Sequence, residues 1–295
     1  ERPVNQNTII ERYTQEAQQF IRSNKDKPFF LYMPHTMPHI PLFVSDKFYT
    51  KDPKKAYIRT IEEIDYSIGQ VMKTLRETGV DDNTVVIFTS DNGPWHLKLR
   101  HHGGSALPLR GAKFSTWEGG MRVPCVVRWP GRIPAGTSSK AITCTLDVLP
   151  TLAHLAGARP PRDRKIDGKN IWPILSGQSA KDGTDAGHSA FYYYQMDQLQ
   201  AVRSGPWKMF VAMKAKKRNW GKPESAQPLK LFNLVKDIHE DRNVAKANPE
   251  VVKRLMVLIE TARADLGDTN RPGKGQRKAG WVKKASPRLL KPAAE

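Results

Sequence analysis

From residue 8 to residue 24, apolar side chains recur at helical spacing: Ile9, Tyr13, Ala17, Phe20 and Ile21. The pattern predicts an amphipathic helix over Thr8–Asn24 packed on a sheet, stopped by Lys27-Pro28. Phe29–Met33 reads as a short buried strand. The helical period returns over Tyr57–Thr78, with Ile58, Ile61, Ile64, Ile68, Val71, Met72 and Leu75 as its stripe and Gly79 where a C-cap belongs. Asp65 sits amid that stripe and reads as a partly buried carboxylate that holds a neighbouring loop. The β-branched run Thr84–Thr89 predicts a buried strand, and Cys125–Trp129 predicts another. Asp147–Ala156 then starts a helix, with Asp147 near its N-terminus and Gly157 past its end; His154 inside it reads as a core or surface histidine. Helix, strand, loop and strand alternate as in a doubly wound α/β fold.

Around Lys181–Gly187 the chain turns small and polar, a boundary signal. Beyond it FYYYQ, LQAVRSGPWKMFVAM and PLKLFNL read as strands of a small antiparallel sheet, and Pro249–Leu266 as a closing amphipathic helix. The aromatics of FYYYQ are assigned to sheet packing. The expected division is residues 1–180 for the α/β part, 188–267 for a C-terminal subdomain and 268–295 for a disordered basic tail. No internal repeat is visible.

With 295 residues, 39% of them hydrophobic, the chain can bury a substantial core. No apolar run approaches membrane-spanning length. The formal charge of +19 would suit a polyanion partner, but from Arg271 onward eight Lys or Arg face the single acid Glu295, so part of the excess is a solvated tail. Nucleic acid is not expected as a partner. Two cysteines, Cys125 and Cys144, make no disulfide framework, and each reads as a small core residue.

The chemistry concentrates where the Thr84–Thr89 strand ends in Ser90-Asp91-Asn92-Gly93. Asn-Gly alone signals a tight hairpin, yet a long Gly- and His-rich loop follows, with Lys113 beyond it, and loops of that kind are usually functional or disordered. In an open α/β sheet the C-terminal edge of a strand is a ligand site. Asp91 and Asn92 offer a carboxylate and a carbonyl oxygen, hard ligands suited to Ca²⁺ or Mg²⁺ rather than zinc. A second constellation, PHTMPHIP, carries His35 and His39 four residues apart. Pro34, Pro38 and Pro41 exclude a helix there, which removes the i, i+4 zinc reading. A loop histidine remains a candidate acid, base or anion donor.

SDNGP, LRGAK and TWEGGMRVP, together with FFLYMPHTMPHIPLF, WPGRIPAG, LDVLPTLAHLAG and IDGKNIWPIL, resemble the sulfatase family of the alkaline-phosphatase-like superfamily, near its arylsulfatase A and N-acetylgalactosamine-6-sulfatase branch. The resemblance runs from about Pro28 to about Leu234. It implies an alkaline-phosphatase-like sheet sandwiched by helices, incomplete at its N-terminus, with a small C-terminal antiparallel sheet and helix. It assigns Asp91 and Asn92 to a divalent cation, Ca²⁺ before Mg²⁺, and Lys113 and His39 to the sulfate, with His39 as general acid. His35 is structural or peripheral. His96, His101 and His102 lie between the metal residues and Lys113, where they could line the pocket mouth; His101 and His102 are the candidate substrate contacts.

The family's nucleophile is a formylglycine made from Cys or Ser in C-x-P-x-R or S-x-P-x-R. Cys125 is followed by Val-Val-Arg and Cys144 by Thr-Leu-Asp, and no serine supplies the motif. The N-terminal aspartate pair is also missing, so the chain is expected to be the C-terminal portion of a sulfatase. The resemblance further implies a sulfated carbohydrate or aryl sulfate substrate, a formylglycine-generating maturation enzyme, and a periplasmic or secreted location. The leading expectation is a sulfuric ester hydrolase in the intact protein. The alternatives are an inactive fragment or sulfated-glycan-binding protein and a phosphoester hydrolase of the same superfamily, whose usual second set of metal ligands is not visible.

Overall fold

Helices α1 (Ile9–Asn24) and α2 (Ala56–Glu77) pack against each other through small hydrogen-bonded side chains as well as aliphatic ones. In this computed structural model, which describes residues 3–95, 102–179, 187–214, 226–278 and 280–285, α1 buries Ile10, Thr14, Ala17 and Ile21. On α2 the buried face is Thr60, Glu63, Ile64, Ser67, Thr74 and Leu75. The hydroxyls of Thr14 and Ser67 meet at 2.6 Å, and Gln18 Nε2 donates to Thr74 Oγ1 at 3.0 Å. Hydrogen-bonded hydroxyls let the two backbones approach without leaving an unsatisfied polar group. The α2 stripe expected from periodicity is therefore only half right: Ile64 and Leu75 are inside, whereas Ile58 and Ile61 are exposed. The buried carboxylate is Glu63, not Asp65, which is exposed; Glu63 Oε2 accepts the backbone N–H of Ser45 at 3.0 Å and so performs the loop-holding role.

Strand β1 (Val86–Thr89) pairs antiparallel with β2 (Cys125–Arg128), Val86 opposite Arg128 and Thr89 opposite Cys125. Between them runs a one-turn helix α3 (Glu118–Met121). A parallel neighbour needs a crossover, usually a helix; here the connection folds back on itself instead, so this pair departs from the doubly wound expectation. Arg128 clamps Asp81 with two hydrogen bonds of 2.7 Å, fixing the start of β1 to the end of β2. Neither strand is fully buried. Phe88 and Val126, which face each other, are 42% and 62% exposed, and Cys125 is exposed rather than a core residue. Residues 28–33 alternate in burial, with Phe30 and Tyr32 turned out to solvent, but they pair with no strand among the described residues.

Helices α4 (Val148–Leu155) and α5 (Trp172–Leu175) follow, and His154 lies exposed on α4. The boundary expected near 181–187 falls largely outside the described residues. The C-terminal sheet has the order β3 (Phe191–Gln195), β4 (Gln198–Ser204), β5 (Trp207–Phe210), β6 (Lys230–Asn233), all antiparallel. One face carries Leu199, Val202, Met209 and Leu231 against Leu255, Ile259 and Ala262 of helix α6 (Pro249–Asp265). The other carries Tyr193, Ala201, Phe210 and Phe232 against Trp117 and Met121. Alternation, interrupted by a register shift between β3 and β4 that puts Leu199 and Ala201 on opposite faces, gives the sheet two apolar faces, so it is buried on both. The consequence for function is direct: the loop after β1 docks on the C-terminal sheet.

The expected disorder does not begin at 268. Gly267–Asp268 (β7) pairs with Arg271–Pro272 (β8), and Asp268 accepts from Leu199 N at 3.0 Å and from Arg263 at 2.8 Å. Those bonds tie the start of the basic segment to β4 and α6.

Candidate functional site

Asp91 and Asn92 sit at the end of β1, where backbone and short side-chain hydrogen bonds hold the turn. Gly93 N–H donates to Gly120 O at 3.1 Å. A Cβ on Gly93 would lie 1.9 Å from Gly119 O, so only glycine allows this turn to lie against α3. Ser90 Oγ donates to Asn92 O and Asn92 Nδ2 to Gly93 O, which leaves the Asn92 carboxamide oxygen without a donor among the described residues. The exposed Asp91 carboxylate likewise meets neither donor nor cation among them. A free carboxylate beside a free carbonyl oxygen is a donor set that fits a hard divalent cation.

Lys113 is brought to the same turn by its own backbone, its N–H donating to Pro94 O at 2.9 Å. Its ammonium lies 5.3 Å from the Trp95 ring and 5.5 Å from Phe114, and it has no carboxylate partner among the described residues. Phe114 follows at φ 70°, a left-handed conformation that costs a bulky residue about 1–2 kcal/mol. Gln195 of β3 steadies it from the C-terminal sheet, Nε2 donating to Phe114 O at 2.9 Å.

His39 is exposed in the loop between α1 and α2. Its Nδ1 lies 2.7 Å from Ile40 O. Since a carbonyl only accepts, Nδ1 carries the proton and Nε2 is the atom left to face a ligand. The ring stands edge-on to Trp95 with centroids 6.1 Å apart. The predicted residues His39 and Lys113 are thus gathered around Trp95, which no sequence pattern marks although it stands four positions after Asp91. His35 points elsewhere. It tilts against Tyr13, and both ring nitrogens are buried without a hydrogen-bond partner among the described residues. Burial pushes its pKa down. His102 makes no ring contact or hydrogen bond with His39, Trp95 or Lys113; His96 and His101 lie outside the described residues.

Behind the loop lies a fully buried charge cluster. Lys208 Nζ meets Glu118 Oε1 at 2.9 Å, Glu240 Oε1 at 2.9 Å and Thr116 O at 2.8 Å. The Glu240 contact is a close ion pair without hydrogen-bond alignment. Tyr193 OH donates to Glu118 Oε1 at 2.6 Å, Arg203 to Glu118 Oε2 at 3.1 Å, and Glu118 N–H to Glu240 Oε2 at 2.8 Å. Burial alone would raise the Glu118 pKa, but the attraction of Lys208, the Tyr193 and Lys208 hydrogen bonds and the nearby Arg203 outweigh it and hold the carboxyl below its ordinary range. For Glu240 burial prevails and pushes the pKa up, Lys208 offsetting it only in part. The cluster joins α3 to β5 and to the loop at Glu240, and so positions Gly119 and Gly120, the backbone on which the Asp91–Gly93 turn rests. A lysine inside the apolar run Trp207–Phe210 was the one sequence signal for it.

The family model described as Sulfatase matches residues 1–158, and that described as N-sulphoglucosamine sulphohydrolase, C-terminal, matches residues 112–265. Human steryl-sulfatase is 38% identical over 221 residues, 71% of this chain and 37% of its own length. Rat arylsulfatase G is 31% identical over 299 residues, 92% of this chain and 55% of its own. Among solved structures, a sulfatase from work on glycosaminoglycan metabolism in Bacteroides thetaiotaomicron superposes with a TM-score of 0.76 at 32% identity, over 88% of this chain and 55% of that one. A Pseudoalteromonas sulfatase does so at 0.75 and 25% identity, over 89% and 55%. The chain therefore spans between about a third and just over half of the length of these relatives.

Proposed function

Since the chain belongs to the sulfatase family, we propose that the intact protein hydrolyses sulfate monoesters of sugars or aryl groups, with water replacing the alcohol on sulfur to give alcohol and sulfate. The observation that carries this reading is the Lys113 ammonium, without a carboxylate partner among the described residues, grouped with His39 around Trp95 and joined by backbone to the turn bearing Asp91 and Asn92.

Each residue has a part that follows from its geometry. Lys113 offsets charge on the sulfate oxygens, and the flanking indole shields that charge from water, which strengthens the attraction. His39, with Nδ1 committed to Ile40 O, presents Nε2; protonated there, it donates to the departing alkoxide oxygen. Asp91 and Asn92 would hold the cation, for which the family makes Ca²⁺ the first choice, and the cation would supply positive charge opposite the sulfate. Two ligands do not fill a shell of about six to eight oxygens, and no residue of this chain fits the formylglycine motif. The reading therefore requires a nucleophile and further carboxylates from outside residues 1–295. The sulfated sugar as substrate class draws on relatives such as canine N-acetylgalactosamine-6-sulfatase, 37% identical over 212 residues.

The test is sulfate release by the intact protein from aryl sulfates and sulfated sugars, beside the matching phosphate esters. Expected is release from sulfate esters only, lowered about 10²–10⁴-fold in His39→Ala, as for loss of a general acid, with circular dichroism unchanged. Turnover unaffected by His39→Ala and Lys113→Ala would sink the assignment. Preferred cleavage of phosphate esters would favour a phosphoesterase, and retention on heparin with no release a glycan-binding protein.

A further inference from the structure

Away from the Asp91 turn, three ligand atoms of different chemistry converge. Cys144 Sγ lies 3.7 Å from His188 Nε2, which lies 2.7 Å from Asp147 Oδ1, and all three atoms fall within 4.8 Å of one another. Asp147 is fully buried, and the His188 side chain is 14% exposed. Nothing in the proposed hydrolysis uses them.

The arrangement is not a nucleophile–base–orienter relay. Such a relay needs the two imidazole nitrogens to serve different partners, one the nucleophile and the other the carboxylate. Here thiol and carboxylate both face the same nitrogen, Nε2. Convergence of a sulfur, a nitrogen and an oxygen on one point is instead what a metal ion imposes. We propose that Cys144, Asp147 and His188 form a site for a zinc-type divalent transition metal, distinct in class from the hard-cation residues Asp91 and Asn92.

The Cys144–His188 separation suits it. With Zn–S of about 2.3 Å and Zn–N of about 2.0–2.1 Å, tetrahedral ligands S and N stand about 3.6 Å apart, close to the 3.7 Å between Cys144 and His188. Nitrogen and oxygen ligands stand about 3.4 Å apart on the same geometry, so the ion takes the place of the Asp147–His188 hydrogen bond with a small opening of that pair. The surrounding bonds are already made. Asp147 Oδ2 accepts from Cys144 N at 2.8 Å and Oδ1 from Lys169 N at 2.8 Å, which fixes the carboxylate. Cys144 Sγ in turn accepts from the backbone N–H of Asp147. Backbone donors on ligand atoms of this kind orient a metal site from its second layer. A thiolate and an imidazole select a borderline-soft ion over calcium or magnesium. Three protein ligands leave a fourth position open for water. Bound metal would staple the start of α4 to His188, three residues before β3, and so fix the two parts of the chain to each other.

Cobalt(II) is the probe, added to the full chain with calcium in excess to occupy hard sites. Expected is a thiolate-to-cobalt charge-transfer band that saturates at one ion per chain, bleaches on adding zinc, persists in Cys125→Ser and vanishes in Cys144→Ser and in His188→Ala. Zinc should also slow alkylation of Cys144 by iodoacetamide at least tenfold, as metal ligation of a thiolate requires. No band on the unmutated chain, or a band that survives Cys144→Ser, overturns the site; so does an alkylation rate indifferent to zinc, a readout that does not depend on how the variants fold.

Discussion

The His39 ring and the Lys113 ammonium lie against one indole, Trp95, at 6.1 Å between ring centroids and 5.3 Å from Nζ to centroid. The two come from loops separated by more than seventy residues, and Trp95 is the spacer that sets their separation.

Trp95→Ala should therefore disturb both at once. In the intact protein, turnover of a sulfate ester is expected to fall about 10²-fold, the scale on which small misplacements act, while Trp95→Phe keeps most of it. Steady-state kinetics on both variants decides the matter; equal losses in the two would show that the ring is not a spacer.

Gly93→Ala drives a methyl group into the Gly119 carbonyl. Backbone cannot give way as a side-chain tip can, so a loss of about 1–3 kcal/mol is expected by denaturant titration. Calcium affinity should weaken as Asp91 and Asn92 move with the turn, measured by isothermal titration on the intact protein.

Removing Lys208 leaves the buried carboxylates of Glu118 and Glu240 facing each other. Lys208→Ala is expected to cost about 3–5 kcal/mol, as when one partner of a buried pair is lost. The sign of the pH dependence follows from Glu118. Its folded pKa lies below the ordinary 4.5, so its contribution is complete above that value and disappears as pH falls through the lowered one. Glu240, with a raised pKa, runs the other way, losing stability as pH rises from 4.5 to its folded value. Glu118→Gln isolates the Glu118 contribution: its stability difference from the unmutated chain should shrink on acidification below about pH 4.5, followed by urea titrations at several pH values.

His35 behaves differently, because burial lowers its pKa. The unfolded chain takes up the proton first, so stability is lost as pH falls from 6.5 toward the lowered value. His35→Phe keeps the ring against Tyr13, removes two nitrogens that are unpartnered among the described residues and should gain about 1–3 kcal/mol, with a flatter thermal-stability profile just below neutrality. A profile unchanged by the substitution would assign the acid sensitivity elsewhere.

What was legible in the sequence was local. The stripe from Ile9 to Ile21 announces α1 by period, although Ile10 and Thr14 rather than Ile9 and Tyr13 are its buried members, and the residues from Phe191 to Phe232 announce their strands. Asp91, Asn92, Lys113 and His39 stand out because a motif gathers unusual residue types in a short stretch. Ile58 and Ile61 misled because periodicity reports a face and not whether anything covers it. Glu63 was missed for Asp65 because two carboxylates two residues apart look alike until a loop chooses between them. Glu118, Lys208 and Glu240 were illegible for a stronger reason: 90 and 122 residues separate Glu118 from its partners, and each alone is an ordinary charge. Only the docking of the loop on the sheet makes them one object.

That object also constrains how the chain can drift. Glu118, Lys208 and Glu240 share one dry space, so losing any one leaves its neighbours stranded. An apolar replacement of the set can be as stable as the set itself, yet every path of single changes toward it passes through weaker intermediates. The cluster is thus an evolutionary ratchet, easier to inherit than to leave, whatever substrate the loop in front of it comes to serve.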